Sequence, residues 1–287
     1  MSSAFVPCGL ITLTTDFGHQ DPFVGVMKGA ILSRFAGARI IDLTHGIRAQ
    51  HPEEAGFWLA RSFTYFPVGT VHVAVVDPGV GTARDIICLC TQGHALLAPD
   101  NGLLAAVHAR SPDAQAVTLA AARLADLGIS RVSATFHGRD IFAPVAAELA
   151  AGRYAPGSLG PARNELASLP TKPPETVAGG ISGTVVAVDH FGNLITNIES
   201  KLLEGLRAPS IEIGGRTLRL SRTYAEVGSG ELLALINSFD VLEIASRDGN
   251  AATALGIGPG FCLMVREQAP PAPGGRPPAK LGRSGSR

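Results

Sequence analysis

The residues with the clearest chemical potential lie in one short loop, Asp77-Pro-Gly-Val-Gly-Thr-Ala-Arg84, with a carboxylate at one end and a guanidinium at the other. Apolar, mostly β-branched residues, interrupted by His72, run from 71 to 76 and stop at Asp77, the pattern of a buried strand ending in a tight turn. Gly79 and Gly81 let the backbone come close to a ligand. Asp16 follows a similar run at 10–15, Asp21 precedes Pro22, and His137 stands in Thr135-Phe-His-Gly138. The second half adds Asp189, His190 and Asn193. Taken singly, each has an ordinary explanation: a turn former for Asp16 and Asp77, a helix N-cap for Asp21, a structural imidazole for His137. What raises Asp16 and Asp77 above that is their common place at the carboxyl ends of strands, where open α/β sheets bind ligands.

Asp and His together suit zinc, iron or manganese. Yet His45, His51, His72, His94, His137 and His190 are scattered, with no pair spaced to share one face of an element, and Arg84 near the same centre repels a cation. The expectation is a site without metal, with a metal-dependent nucleoside or ester hydrolase as the alternative. No P-loop, GxSxG, HExxH or paired CxxC occurs.

The elements that must position these groups read as strand, helix, strand, helix, strand from 10 to 76, the alternation of a parallel α/β sheet. Asp21 is expected to cap the first helix with Pro22 at its first position and Val24, Met27, Ala30 and Ile31 turned inward. Residues 39–43 form a second strand, and Pro52 opens a second helix with Glu53 and Glu54 in its first turn. A hairpin is expected at 86–98 around Gln92-Gly93, a short helix at 103–109, and a loop at 135–138 delivering His137 ahead of a helix reaching 151. Beyond the Pro- and Gly-rich stretch 152–180 the period becomes two, with short strands at 182–188, 194–198, 211–213, 218–220, 232–236, 241–245 and 261–265 and no convincing helix. That is the pattern of a small antiparallel barrel or sandwich. The expected division is an α/β domain at 1–170, a linker at 171–179, an all-β barrel at 180–267 and a disordered tail at 268–287.

Composition bounds the function. The 287 residues are 46% hydrophobic and 17% charged, so a large core forms, and Lys plus Arg equals Asp plus Glu at 24 each. This balance, without a basic run in the body of the chain, argues against nucleic-acid or anionic-membrane partners. The four cysteines are unpaired in spacing, and Cys88 and Cys90 read as buried thiols within a strand. No basic segment followed by an apolar stretch opens the chain, and no run of about 18 apolar residues occurs, so the expected place is the cytoplasm.

The motifs also carry a resemblance. Leu13-Thr-Thr-Asp16-Phe-Gly with Asp21-Pro-Phe-Val-Gly-Val-Met-Lys-Gly, Ile41-Asp-Leu-Thr-His45, Val76-Asp-Pro-Gly-Val-Gly-Thr, Pro99-Asp-Asn-Gly-Leu, Thr135-Phe-His-Gly-Arg-Asp140 and Asp189-His-Phe-Gly-Asn-Leu-Ile-Thr-Asn197 together resemble the S-adenosyl-L-methionine (SAM) hydroxide adenosyltransferases, relatives of the SAM-dependent fluorinases and chlorinases. The resemblance runs in order from about Leu10 to Arg266. It implies a hydrolase that splits SAM into adenosine and L-methionine without metal or organic cofactor. It also implies an α/β domain followed by a β-barrel, and a homotrimer whose active sites lie between one subunit's first domain and its neighbour's second.

By resemblance, Asp77, Arg84 and His137 surround the attacking water, Asp16 grips the ribose hydroxyls, Asp21 and Asp189 meet the methionine ammonium, and Asn193 reads the adenine edge. Ser238 is then placed at the methionine carboxylate and Glu243 near the adenine. The halogenase branch has a tyrosine where Asp77 stands, a halide-binding serine where Gly138 stands, and an extra loop for which the span 81–86 leaves no room. Its tryptophan two residues past the matching asparagine is here Ile195, which offers no ring for stacking. A non-catalytic SAM- or adenosine-binding protein is the remaining alternative, since such grips can outlive the chemistry.

Overall fold

A computed structural model describes residues 4–168 and 172–267; the tail expected to be disordered at 268–287, and part of the expected boundary segment at 169–171, lie outside the described residues. The chain divides into two compact units after Lys172.

The first unit contains β1 (Leu10–Thr15), α1 (Phe23–Arg34), β2 (Arg39–Thr44), α2 (Pro52–Ser62), β3 (Val71–Val75), β4 (Ile86–Thr91), β5 (His94–Pro99), α3 (Ala105–Ala109), β6 (Gln115–Thr118), α4 (Ala121–Asp126), α5 (Ala143–Ala150) and β7 (Ala162–Arg163). The strands form one sheet in the order β2-β1-β3-β5-β4-β6-β7. Pairing is parallel from β2 to β5 and antiparallel from β5 to β7. Gln92 and Gly93, at φ 49° and 78°, turn the expected hairpin between β4 and β5. Chain direction across the sheet reverses beside β1, because β2 lies on one side of it and β3 on the other.

Both faces of this sheet are covered, which is why its central strands are apolar on both sides. Val71, Val73 and Val75 pack with Met27 and Ile31 of α1 and with the α5 residues Val145 and Leu149. Ala74 and Val76 turn the other way, into a second cluster with Leu59 of α2 and Val107 of α3. Truncating Met27 or Ile31 to alanine would cost about 2–5 kcal/mol, the usual range for fully buried aliphatic side chains.

Two expectations about α1 and α5 need correction. Pro22 itself occupies the cap position of α1 (φ −74°, ψ −1°), and no side chain caps the helix. Asp21 thus falls one residue too early to reach the free N–H groups. The segment carrying His137 enters its helix sooner than the sequence indicates: a π-helical turn at Gly138–Phe142 runs directly into α5. His137 is therefore the residue before a helical turn and not part of a free loop.

The second unit contains β8 (Glu175–Val177), β9 (Gly180–Val188), β10 (Leu194–Glu199), α6 (Ser200–Leu203), β11 (Pro209–Ile213), β12 (Arg216–Ser221), β13 (Leu232–Ile236), β14 (Val241–Ser246), α7 (Ala251–Leu255) and β15 (Cys262–Glu267). The order β10-β14-β13-β12-β11-β15-β9 closes through a β9–β10 pairing into a seven-stranded barrel, with β8 added outside β9. All pairs are antiparallel except β12 with β13. The alternating buried and half-buried residues of β9 give the period of two that the sequence displays. The short helices α6 and α7 were not expected. Each is about one turn long and carries too little periodicity to register. Among the described residues no helix is long and apolar enough to cross a membrane.

One buried polar chain stands apart from the core. His72 Nδ1 lies 2.8 Å from Thr12 Oγ1 and its Nε2 lies 3.2 Å from His94 Nδ1, with Phe63 and Phe66 edge-on to the His72 ring. Burial, with His94 beside it, pushes the His72 imidazole down to about 3. Because the folded value lies below the unfolded one of about 6.5, the stability this arrangement contributes is complete above about pH 6.5 and is lost as pH falls towards 3. Urea unfolding measured from pH 7.5 to 4 is expected to show falling stability across that window, with a shallower slope in His72→Gln; an equal slope in both proteins would rule out this source.

Candidate active site

The strand pairing brings the two candidate carboxylates together. Thr15 of β1 is the register partner of Val75 of β3, so Asp16 and Asp77 leave adjacent parallel strands at their carboxyl ends. This is the place where the strand order reverses, the position at which open α/β sheets form a ligand crevice. A cleft of about 300 Å³ opens there, and Asp16, Gln50, Asp77, Phe136 and His137 are among the residues that line it.

Asp77 and Arg84 close their loop on itself. Arg84 Nε donates to Asp77 Oδ1 and Oδ2 at 3.0 and 2.9 Å, and Nη2 donates to Oδ2 as well. The side chains are only 4% and 10% exposed for Asp77 and Arg84, so the pair is shielded from solvent on most sides. Arg84 Nη2 also reaches His137 Nδ1 at 2.9 Å. Arginine has no acceptor, so His137 Nδ1 carries the lone pair in this contact and the neutral ring's proton sits on Nε2. Burial first, and the Arg84 charge second, hold His137 below the ordinary imidazole value, with Asp77 and Asp140 pulling the other way.

Glycines make this meeting possible. Gly81 has φ 79°, and a Cβ there would stand 2.3 Å from the carbonyl oxygen of Ala134, so only glycine lets the Asp77–Arg84 loop lie against the segment leading to His137. A Cβ on Gly138 would meet Met27 Sδ at 3.1 Å and the Phe136 ring at 3.2 Å. Phe136 belongs to an edge-to-face cluster with Phe17 and Phe23, ring centroids 5.4–6.0 Å apart, which gives the cleft an apolar wall. Asp140 accepts Ser133 N–H at 2.8 Å and the Arg139 guanidinium at 2.5 Å, closing the turn around His137.

Asp16 is held on its other side by Gln50, whose backbone N–H donates to Oδ2 at 2.8 Å. Gln50 sits at φ 66°, and its loop is anchored by Arg48 Nε donating to the buried Glu54 at 2.5 Å. Asp21 is exposed at the start of α1, with no hydrogen bond to the cap.

In the barrel unit a second polar group gathers. Asp189 Oδ1 accepts the N–H groups of Phe191 and Asn193 at 2.9 and 2.8 Å, and its Oδ2 accepts Asn193 Nδ2 at 3.0 Å. Glu243, buried on β14, accepts Tyr224 O–H at 2.7 Å and Asn237 Nδ2 at 3.1 Å. Burial raises the Glu243 carboxyl above its ordinary value despite those two donors, and Asp189 adds to the rise. Tyr224 is likewise raised, by burial and by the carboxylate it serves. Ser238 is exposed in the turn after Asn237, and His190 is exposed beside Phe191. Tyr224, Asn237 and Gln50 carry no motif that marks them in sequence; His45 does, through its place three residues after Asp42 at a strand end. Among the described residues no group of three or more His, Cys, Asp or Glu side chains could hold a metal ion.

Comparison with known proteins agrees with these motifs across both units. Residues 11–160 match the SAM hydroxide adenosyltransferase N-terminal domain and residues 183–261 its C-terminal domain. An (R)-S-adenosyl-L-methionine hydrolase of Thermus thermophilus is 39% identical over 88% of this chain and 97% of its own. One of Salinispora arenicola is 41% identical over 89% and 97%. The crystal structure of an uncharacterised conserved protein of Thermotoga maritima superposes with a TM-score of 0.81 at 33% identity, covering 89% of this chain and 99% of that one. With both domain models matched in order and relatives of this identity spanning nearly their whole length, the chain belongs to the SAM hydroxide adenosyltransferase family.

Proposed function

We propose that this protein hydrolyses S-adenosyl-L-methionine to adenosine and L-methionine, water-derived hydroxide attacking the ribose C5′. The observation that carries the reading is that Asp77 and His137 line the same cleft as Asp16 and are both held by Arg84. The names of the two relatives at 39% and 41% identity support it and add the (R) configuration at sulfur.

The chemistry suits these residues. The C5′–O bond forms as the C5′–S bond breaks, its electron pair remaining on sulfur, and one water proton leaves to solvent. Methionine departs as a neutral thioether, so no general acid is needed at the leaving group. The demand falls on the nucleophile, since bulk water has a pKa of about 15.7. Fixed N–H donors aimed at the oxygen favour hydroxide without reorganising in the reaction. Arg84 supplies the guanidinium, Asp77 fixes its plane, and His137 presents its Nε2 proton. Acceptance of the water's proton by His137 does not fit this arrangement, because the lone pair on Nδ1 already faces Arg84 and Nε2 carries the ring proton.

Asp16, with one backbone donor on Oδ2, retains lone pairs for the ribose hydroxyls. Asp21 and Asp189 are assigned to the methionine ammonium, Asn193 and Glu243 to the adenine, and Ser238 to the methionine carboxylate. Independence of metal and organic cofactor and a homotrimer belong to the same reading, supported by the family resemblance, and a cytoplasmic location is assigned with them from the sequence pattern alone.

The test is incubation of chelator-treated protein with each sulfur epimer of SAM in chloride buffer, followed by chromatography. Adenosine and methionine in equal amounts from the (R) epimer are expected, with kcat lowered about 10²- to 10³-fold in Arg84→Ala or His137→Ala, the usual effect of removing one such donor. Loss of activity on chelation would favour the metal-dependent alternative, 5′-chloroadenosine would place the protein with the halogenases, and intact SAM would leave a binding protein.

The pH dependence follows from the neutral His137. Its folded value lies below 6.5, so activity is expected to hold as pH falls through the ordinary imidazole range and to drop only below it. An NMR titration of the His137 ring should place its midpoint under 6.5 and show it rising in Arg84→Met; a midpoint above 6.5 in the unmodified protein contradicts the arrangement.

A further inference from the structure

Behind Asp16 runs a polar chain that the cleft chemistry does not use. Thr15, fully buried, accepts Phe17 N–H on Oγ1 at 3.2 Å, and the same oxygen lies 2.8 Å from His45 Nδ1. His45 is 1% exposed. On its far side Asp42 Oδ1 stands 3.0 Å from Nε2, within ion-pair range although out of line for a hydrogen bond. Lys28 Nζ holds the other Asp42 oxygen at 2.6 Å, and the His19 ring meets His45 edge-on at 5.1 Å. The His45 backbone takes part as well, its carbonyl accepting Gly18 N–H at 2.9 Å.

The chemistry of the groups sets the direction of the chain. A carboxylate beside Nε2 keeps the ring proton there, which leaves Nδ1 to accept the Thr15 hydroxyl proton. The Thr15 oxygen is then free to accept Phe17 N–H, so both hydrogen bonds of the chain donate towards His45, whose Nε2 faces the Asp42 charge. Burial holds His45 below the ordinary imidazole value against the pull of Asp42, with His19 and Lys28 adding to the lowering, and the ring stays neutral. The residues on either side of Asp16 are thus tied to one imidazole, and the next residue, Gly18, to its backbone.

We propose that His45 is a positioning residue for Asp16: the Asp42, His45 and Thr15 chain fixes the turn that aims the Asp16 carboxylate at the ribose hydroxyls. The inference rests on the ribose role given to Asp16 under the proposed function. Its mark is selectivity for the ribose hydroxyls rather than affinity in general, because His45 itself lies behind the site.

The experiment is calorimetric binding of adenosine and of 2′,3′-dideoxyadenosine to the full-length protein, with thermal unfolding of each variant as a check on folding. The unmodified protein is expected to prefer adenosine. His45→Ala should lose about tenfold in adenosine affinity, at the lower end of what supporting partners contribute to a site, and keep its affinity for the dideoxynucleoside. His45→Asn, whose amide oxygen replaces Nδ1 as the acceptor for Thr15, should recover part of the loss. Asp16→Ala should give the same pattern, and adding His45→Ala to it should change nothing more. Equal loss for both nucleosides in a folded His45→Ala protein overturns the proposal in favour of a structural role, and unchanged adenosine binding overturns it outright. If Asp16→Ala leaves the preference intact, the ribose reading falls and the proposal with it; if Asp16→Ala abolishes the preference and His45→Ala does not, the positioning role alone is lost.

Discussion

The fork of hydrogen bonds between Arg84 and Asp77 is the interaction on which the candidate site depends. Both side chains are largely withdrawn from water, and two charges moved out of water lose several kcal/mol of hydration each unless their geometry recovers it. A planar guanidinium against a planar carboxylate meets that condition, while lysine, a point charge on a flexible stem, does not fix a plane. The fixed plane is what lets Nη2 face His137 while Nε faces Asp77. Loss of either partner would leave the other charge shielded and unpaired.

That fork can exist only because of where the sheet places its loop. β3 follows α2 in the chain yet pairs on the side of β1 opposite to β2, so the loops after β1 and β3 diverge and leave a crevice between them. The register of β1 with β3 then fixes Asp16 against Asp77 to within the spacing of paired strands. His137 arrives from the far end of the unit, carried by the turn that begins α5, and α5 packs on the same face as α1. The missing side chain at Gly81 completes the arrangement, since any Cβ would hold the two loops apart.

Much of this was legible in the sequence because the signals are local. An apolar run that ends at an aspartate declares both the strand and the carboxylate at its end, so Asp16 and Asp77 could be placed from their neighbours alone. The Gln92-Gly93 hairpin and the two-residue period of the barrel were legible for the same reason. The parallel β12–β13 pairing was not, because a strand's pattern states which face is buried and not which strand lies beside it. β6 also went unread: Gln115-Ala-Val-Thr118 is short and half polar. The Asp21 cap failed through competition, Pro22 taking the position that the aspartate would have needed. Residue types gave Arg84 and His137 as candidates, but their contact joins positions 53 apart and depends on tertiary structure. Tyr224 and Asn237 show the same limit, being recognisable only once Glu243 is seen to be buried between them.

Charge counting sharpens the proposed chemistry. Arg84 is matched by Asp77, and His137 is neutral, so the group as a whole offers an anion directed N–H dipoles and little net positive charge. Under the proposed function the largest unmatched cation near the nucleophile is the substrate's own sulfonium. Its attraction for hydroxide acts over a short distance in a partly dry cleft, where Coulomb energies exceed those in water several-fold. Hydroxide is then favoured chiefly when SAM is present, and the positive charge that helps to hold it disappears as the C5′–S bond breaks. A site with a free cation would bind anions permanently and compete with its own reaction; a paired arginine avoids that while keeping its donors fixed. Under the proposed function the Asp77 carboxylate therefore does two things at once, setting the plane of the guanidinium and cancelling the charge that would otherwise hold the wrong anion.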